Sequence, residues 1–329
     1  MAKATIYDVS GAARVSLATV SRVLNNPEKV SAKTRENVLA VIKELGYKPN
    51  AIARGLASRK TTTVGVMVSD ITRASVSQTL GGIMDIAKEY KYSIKIFSMV
   101  DNSAFEVART VAAEQVDGVL ILNDELSEEE IKEVSDCLTD SSIPFVLSNV
   151  VYDFEYASVA IDYEKASYEI TKELIEKGKK DIYLLATVRR YTTNIKKELG
   201  YTKAMNEAKL EPKIFRTSGD IDINQPHFQT FFAENKIDAA IAVRDSIAVS
   251  FINVAREMNM SIPNDIMVAG FQNTSYAKLS RPTLTCVDNP VYAIGAVAMR
   301  LLTKFMKDEE VEEKSVVMPH KIIYRDSMK

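Results

Sequence analysis

The chain changes its hydrophobic rhythm near residue 64. Before that point apolar residues recur at three- and four-residue spacing, which predicts amphipathic helices. Ile6, Val9, Ala12 and Ala13 mark one face of a first helix, with Thr5 as its N-cap and Asp8 at its third position, a capping box. The chain turns at Arg14 and Val15, and Ser16 caps a second helix whose apolar side carries Val20, Val23 and Leu24. Leu17, Ala18, Ser21, Arg22 and Asn25 share its opposite face. A third helix is predicted from Ser31 to Leu45, with Thr34, Val38, Val41, Ile42 and Leu45 inward and Gly46 as its stop.

After residue 64, short continuous apolar runs alternate with amphipathic segments. Residues 64–68, 94–97, 118–122 and 145–147 read as buried parallel strands, separated by helices at 75–90, 103–115 and 127–139. A second series places strands at 159–161, 182–186, 214–215, 239–243 and 266–269, with helices near 163–178, 194–209, 225–234 and 245–259. This is the βαβ rhythm of doubly wound sheets. About 270 residues exceed what one such sheet commonly uses, so two lobes are expected. The fold class is therefore an N-terminal all-α head followed by an α/β core of two doubly wound parallel-sheet lobes.

Charge sharpens the division. Residues 1–60 hold 11 Lys/Arg against 4 Asp/Glu, a net of +7, while the remainder nets −9. The basic head points to a nucleic acid partner. On the outward face of the second helix, Ala18 and Ser21 allow close approach to a major groove. There Arg22 can reach the O6/N7 edge of a guanine and Leu17 a thymine methyl. Thr5, Tyr7, Ser16, Thr19 and Asn25 are placed to hold phosphates. The helical pattern alone also fits a small three-helix cap with a solvated charged face.

Asn50, after Pro49, can cap a helix over 50–58 that is too short to persist alone, and Gly55 weakens it by a further ~1 kcal/mol. With Ala53 and Leu56 on one side, that segment suits a paired helix entering a minor groove, Leu56 wedging between base steps. A plain interdomain linker is the other reading, and residues 59–63 look like one.

Over residues 5–58 the chain resembles the LacI/GalR family of bacterial transcription regulators. One departure is Arg14, where the family often has Gly in the turn. The resemblance implies a homodimer on a double-stranded, pseudo-palindromic DNA operator and a body like that of periplasmic sugar-binding proteins. It divides the chain into a helix-turn-helix domain at 1–49, a hinge helix and linker at 50–60, and a regulatory core at 61–329. In that core, lobe one takes about 61–159 and 290–320, and lobe two about 160–289 and 321–329.

The resemblance also bears on regulation. Residues 292–304 are similar to the helix with which the carbon-catabolite-control members of the family dock seryl-phosphorylated HPr, a phosphocarrier protein. It implies a corepressor site at Tyr292, Ala296, Val297, Arg300 and Lys304. Arg300 and Lys304, four apart, would clamp the phosphoserine. Those members usually carry Asp where this chain has Ala293. The cleft between lobes implies effector contacts from Asp70, Lys197, Asp245 and Gln272. An aromatic residue and an Asp that sugar-binding members use there are absent. A LacI/GalR-type repressor answering a sugar, nucleoside or other small effector is the alternative.

An enzyme or a free sugar-binding module would be the rivals from other classes. His227 and His320 have no ligand-spaced neighbours, Cys137 and Cys286 form no CxxC, and Gly81-Gly82 lacks the frame of a phosphate loop. No catalytic residue, metal site or cofactor is expected. No apolar run has membrane-spanning length and Lys3 precedes a capped helix rather than an apolar core, so a cytoplasmic protein without membrane contact is expected.

Overall fold

The computed structural model describes residues 4–47, 61–100, 103–122, 125–149 and 156–329. The chain divides into two compact units near residue 61.

The first unit is three helices, α1 (Ile6–Ala13), α2 (Leu17–Asn25) and α3 (Ala32–Glu44). Their common core is Val9, Ala13, Val20, Val23, Val38 and Val41, with Ile6, Val15, Leu24, Val30, Ile42 and Tyr47 packed around it. Asn37 on α3 donates its side-chain amide to the Ala13 carbonyl at 2.9 Å, closing the end of α1. Two expected core positions lie outside it. Ala12 is exposed, because Ile6, Val9 and Ala13 already complete the inward stripe at i, i+3 and i+7. Leu45 is also exposed, since the inward face of α3 ends at Val41 and Ile42. Arg14 sits in the left-handed region (φ 52°, ψ 47°). The turn therefore makes a demand that Gly would meet without strain, at a cost on the order of 1 kcal/mol for Arg.

The second unit carries two six-stranded sheets. Sheet one joins β1 (Thr63–Val68), β2 (Ser93–Ser98), β3 (Gly118–Leu122), β4 (Phe145–Ser148), β5 (Ser158–Ile161) and β11 (Ser315–Met318), in the order β11-β5-β4-β3-β1-β2. Sheet two joins β6 (Ile182–Thr187), β7 (Lys213–Thr217), β8 (Ala239–Ala242), β9 (Met267–Phe271), β10 (Thr285–Asp288) and β12 (Lys321–Ile323), in the order β12-β10-β9-β8-β6-β7. Pairing is parallel throughout except for β12 against β10. The chain therefore changes sheet after β5, after β10 and after β11. The first two passages are tied together: Tyr163 donates its hydroxyl to Asn149 Oδ1, and Asn289 donates its amide to the same oxygen at 2.9 Å.

The pattern of apolar runs anticipates most of these elements, with three differences. β2 is an edge strand with Ile96 exposed rather than a buried one, since nothing among the described residues pairs beyond it. The helix expected at 225–234 begins at Ile221, because Asp220 caps it and Pro226 is accommodated within it. β10, β11 and β12 are three or four residues long, too short for an alternating signal.

Candidate nucleic-acid interface and regulatory sites

The expected DNA-facing residues of α1, α2 and their caps are exposed or partly exposed. The Thr5 backbone N–H and hydroxyl donate to Asp8 Oδ2 at 2.7 and 2.8 Å, and Asp8 N–H returns a bond to Thr5 Oγ1. These bonds, the backbone one foremost, hold the Asp8 carboxyl below the usual range. Ser16 caps α2 by accepting from Thr19 N–H at 3.2 Å. Ser16, Ala18, Arg22 and Asn25 are exposed along α2, Leu17, Thr19 and Ser21 partly so, and Tyr7 stands out from α1. Asn25 donates to Ser21 Oγ at 3.3 Å, which orders the polar edge beside Arg22. Small residues, a helix N-terminus and one extended cation together offer a surface that can approach phosphates and base edges. Asn50, Ala53 and Leu56 lie outside the described residues.

The second site lies on a helix of lobe one, α12 (Val291–Phe305), packed against α4 (Ala74–Glu89). Val291, Ile294, Ala298, Met299 and Leu302 are buried, which turns Tyr292 and Arg300 outward, with Ala296 and Val297 half-buried between them. Lys304 is exposed one turn beyond Arg300. The sequence alone did not single out the neighbours that α4 supplies. Tyr292 donates its hydroxyl to Asp85, a bond that raises the pKa of the phenol. Arg300 pairs with Glu89 at 3.5 Å, both side chains more than half exposed. Asp85 and Glu89 stand four apart on α4, and only the packing brings them beside α12. A groove of about 720 Å³ adjoins this surface, bounded by Tyr90, Val297, Arg300, Lys304 and the acidic stretch around Val311.

The third site is a chamber of about 250 Å³ between the lobes. Asp70 and Gln272 line it, together with Thr72, Arg73, Ser75, Glu125, Arg244, Ser246 and Thr274. Asp70 is turned to its own loop, accepting from Thr72 N–H and Oγ1 at 2.8 and 2.7 Å, which lowers its pKa. Lys197 and Asp245 do not line the chamber. Lys197 is buried, donates to the Val243 carbonyl at 3.0 Å and sits over the rings of Tyr163 and Phe271. Asp245, also buried, accepts from Thr274 N–H at 2.7 Å, Thr274 Oγ1 at 2.8 Å and Cys286 Sγ at 3.3 Å. Burial pushes its carboxyl up to about 6 despite these donors. It braces the turn at Gln272 and Asn273, both at positive φ. Arg73, Glu125 and Arg244 are the residues the sequence reading missed here, because loop charges carry no periodic signal.

Residues 5–50 match the family described as "Bacterial regulatory proteins, lacI family", and residues 171–328 match the periplasmic binding protein-like domain. The chain is 39% identical over 331 residues to catabolite control protein A of Staphylococcus xylosus, covering 99% of each chain. Among solved structures it resembles the transcription regulator CcpA of Lactococcus lactis, at 31% identity and a TM-score of 0.73, covering 81% of this chain and 99% of that one. It also shares the fold of the lac repressor dimer bound to operator and the anti-inducer ONPF, at 23% identity and a TM-score of 0.90, with 99% of both chains covered.

A helix-turn-helix head followed by two α/β lobes defines a DNA-binding transcription regulator. The chain belongs to the LacI family of such regulators and is similar to catabolite control protein A along 99% of its length. Among the described residues no helix is long and apolar enough to cross a membrane.

Proposed function

We propose that this regulator carries out carbon catabolite control, working in the cytoplasm as a homodimer on a pseudo-palindromic operator, with seryl-phosphorylated HPr as corepressor. Two heads related by the dimer twofold would read the two half-sites. Arg22 would read a guanine, with Leu17, Ala18 and Ser21 against the groove floor and Thr5, Tyr7, Ser16, Thr19 and Asn25 on phosphates.

The observation that carries the corepressor reading is the outward pair Arg300 and Lys304, one turn apart beside the flat strip of Ala296 and Val297. A phosphoserine is a doubly charged group with three acceptor oxygens, which two such cations can share. The Glu89 partner of Arg300 is an exposed pair worth about 0–1 kcal/mol, so a phosphate can displace it. Calorimetric titration with HPr, phosphorylated and unphosphorylated on serine, tests this reading. Preference for the phosphorylated form is expected; equal affinity would remove it. The small-effector reading then stands second, supported by the chamber between the lobes. At about 250 Å³ that chamber is smaller than the roughly 300–1,000 Å³ of ordinary ligand pockets.

A further inference from the structure

We propose that Glu125 is a built-in occupant of the interlobe chamber, a carboxylate of the chain itself that takes the place of an anionic effector and ties the lobes together. Arg73 Nη1 and Arg244 Nη2 both approach Glu125 Oε1, at 3.0 and 2.5 Å. Arg73 precedes α4 in lobe one, whereas Arg244 follows β8 in lobe two, so the carboxylate bridges the two sides. All three side chains are largely withdrawn from water, with 15%, 13% and 19% exposure for Arg73, Arg244 and Glu125. In such surroundings a charge without its partner is far costlier than at the surface.

The bridge does not stand alone. The Leu126 carbonyl, next in the chain, accepts from both the N–H and the hydroxyl of Thr192 in lobe two. Glu130, on the helix that follows, pairs with Arg189 of lobe two. One short stretch of lobe one therefore makes three successive ties to the strand-end loops of lobe two. The guanidiniums of Arg189 and Arg244 also lie over the ring of Tyr191, at 5.5 and 5.7 Å.

Among these three charges Glu125 is the single negative one. Removing it takes away the one carboxylate that Arg73 and Arg244 share across the chamber, which loosens the hold of one lobe on the other; Asp70, the other acid in the lining, lies beside Arg73 in lobe one. A small anion entering the chamber has to displace Glu125 before it can use either arginine. Bridging of the lobes thus becomes a property of the chain, independent of the docking surface on α12.

Spin labels introduced by Glu129→Cys in lobe one and Ser218→Cys in lobe two, in a Cys137→Ser background, read the interlobe distance without DNA or HPr. The labelled parent protein should give one short distance that millimolar inorganic phosphate leaves unchanged. Glu125→Gln should shift the distribution to longer values, and phosphate should return it, binding roughly tenfold or more tighter than to the parent. Glu125→Asp puts a carboxylate back between the two guanidiniums and should recover most of the short distance. That recovery separates loss of the bridge from a general failure to fold. An unshifted distance in Glu125→Gln, or phosphate closing the parent further, would overturn the proposal, whatever HPr does.

Discussion

Gly82 on α4 faces the backbone carbonyl of Tyr292 on α12 so closely that a β-carbon would sit on that oxygen. Gly295 repeats the relationship in reverse, against the Thr79 carbonyl. The helices meet backbone to backbone, and this contact fixes the height at which Tyr292 and Arg300 stand above the surface. Gly82→Ala should force them apart and cost about 1–3 kcal/mol of stability. Its neighbour Gly81 has only ordinary contact with the Tyr292 ring, nearest at 3.6 Å. Gly81→Ala should instead stabilise by roughly 0.5–1 kcal/mol through helix propensity and a less flexible unfolded chain. Urea unfolding of the two variants checks the pair, and effects of the same sign would contradict it.

Arg22 is the only long cation on the outward face of α2. Arg22→Ala should lower specific binding by ~1–3 kcal/mol and relax preference at one base pair per half-site. Full discrimination by the variant between an operator and its point-mutated form, in a gel-shift series, would take α2 out of the major groove.

The head and the rhythm of the body were legible because each rests on local signals: caps at Thr5 and Ser16, a stop at Gly46, and apolar runs long enough to mark a buried strand. The proposed docking surface was half legible. The spacing of Arg300 and Lys304 shows in the sequence, but Asp85 and Glu89 reach Tyr292 and Arg300 from some two hundred residues away, through a helix contact that depends on glycines. The cleft was least legible. Asp245 and Lys197 have the chemistry of ligand groups, yet tertiary burial turns both to bracing, while Glu125, a loop acid without a periodic signal, lies between two arginines.

Asp245 gives a pH signature. Burial raises its carboxyl from 3.8 in a free chain to about 6. Below about pH 4 the group is protonated in folded and unfolded chains alike, and its burial carries no ionisation cost. As pH rises through 4 to 6 the unfolded chain releases the proton first, so stability from this group falls. The fall is complete above 6 and corresponds to about 3 kcal/mol. Asp245→Asn keeps an oxygen for Thr274 but cannot ionise. Its stability relative to the parent should therefore rise by about that amount between pH 4 and pH 7. Urea unfolding at both values checks this; parallel pH profiles for the two proteins would show that Asp245 does not titrate in this range.

The proposed docking surface can be tuned in both directions. Arg300 is held by Glu89 across 3.5 Å, and under the proposed corepressor reading a phosphoserine would have to compete for the same guanidinium. Glu89→Gln should therefore strengthen binding of seryl-phosphorylated HPr, by ~0.2–1 kcal/mol for an exposed pair, and leave the unphosphorylated form nearly unchanged. Arg300→Ala should remove most of the preference for the phosphorylated form, since a bidentate contact is lost. Ala293, partly exposed one residue beyond Tyr292, offers a third lever. Ala293→Asp sets an acid toward a basic residue of HPr and should add ~0.2–1 kcal/mol to both forms alike. All three effects should shrink as salt is raised, because these charges are open to solvent. Calorimetric titration at two ionic strengths separates them. Glu89→Gln and Arg300→Ala both leaving the phosphorylation preference untouched would place the phosphoserine away from this helix.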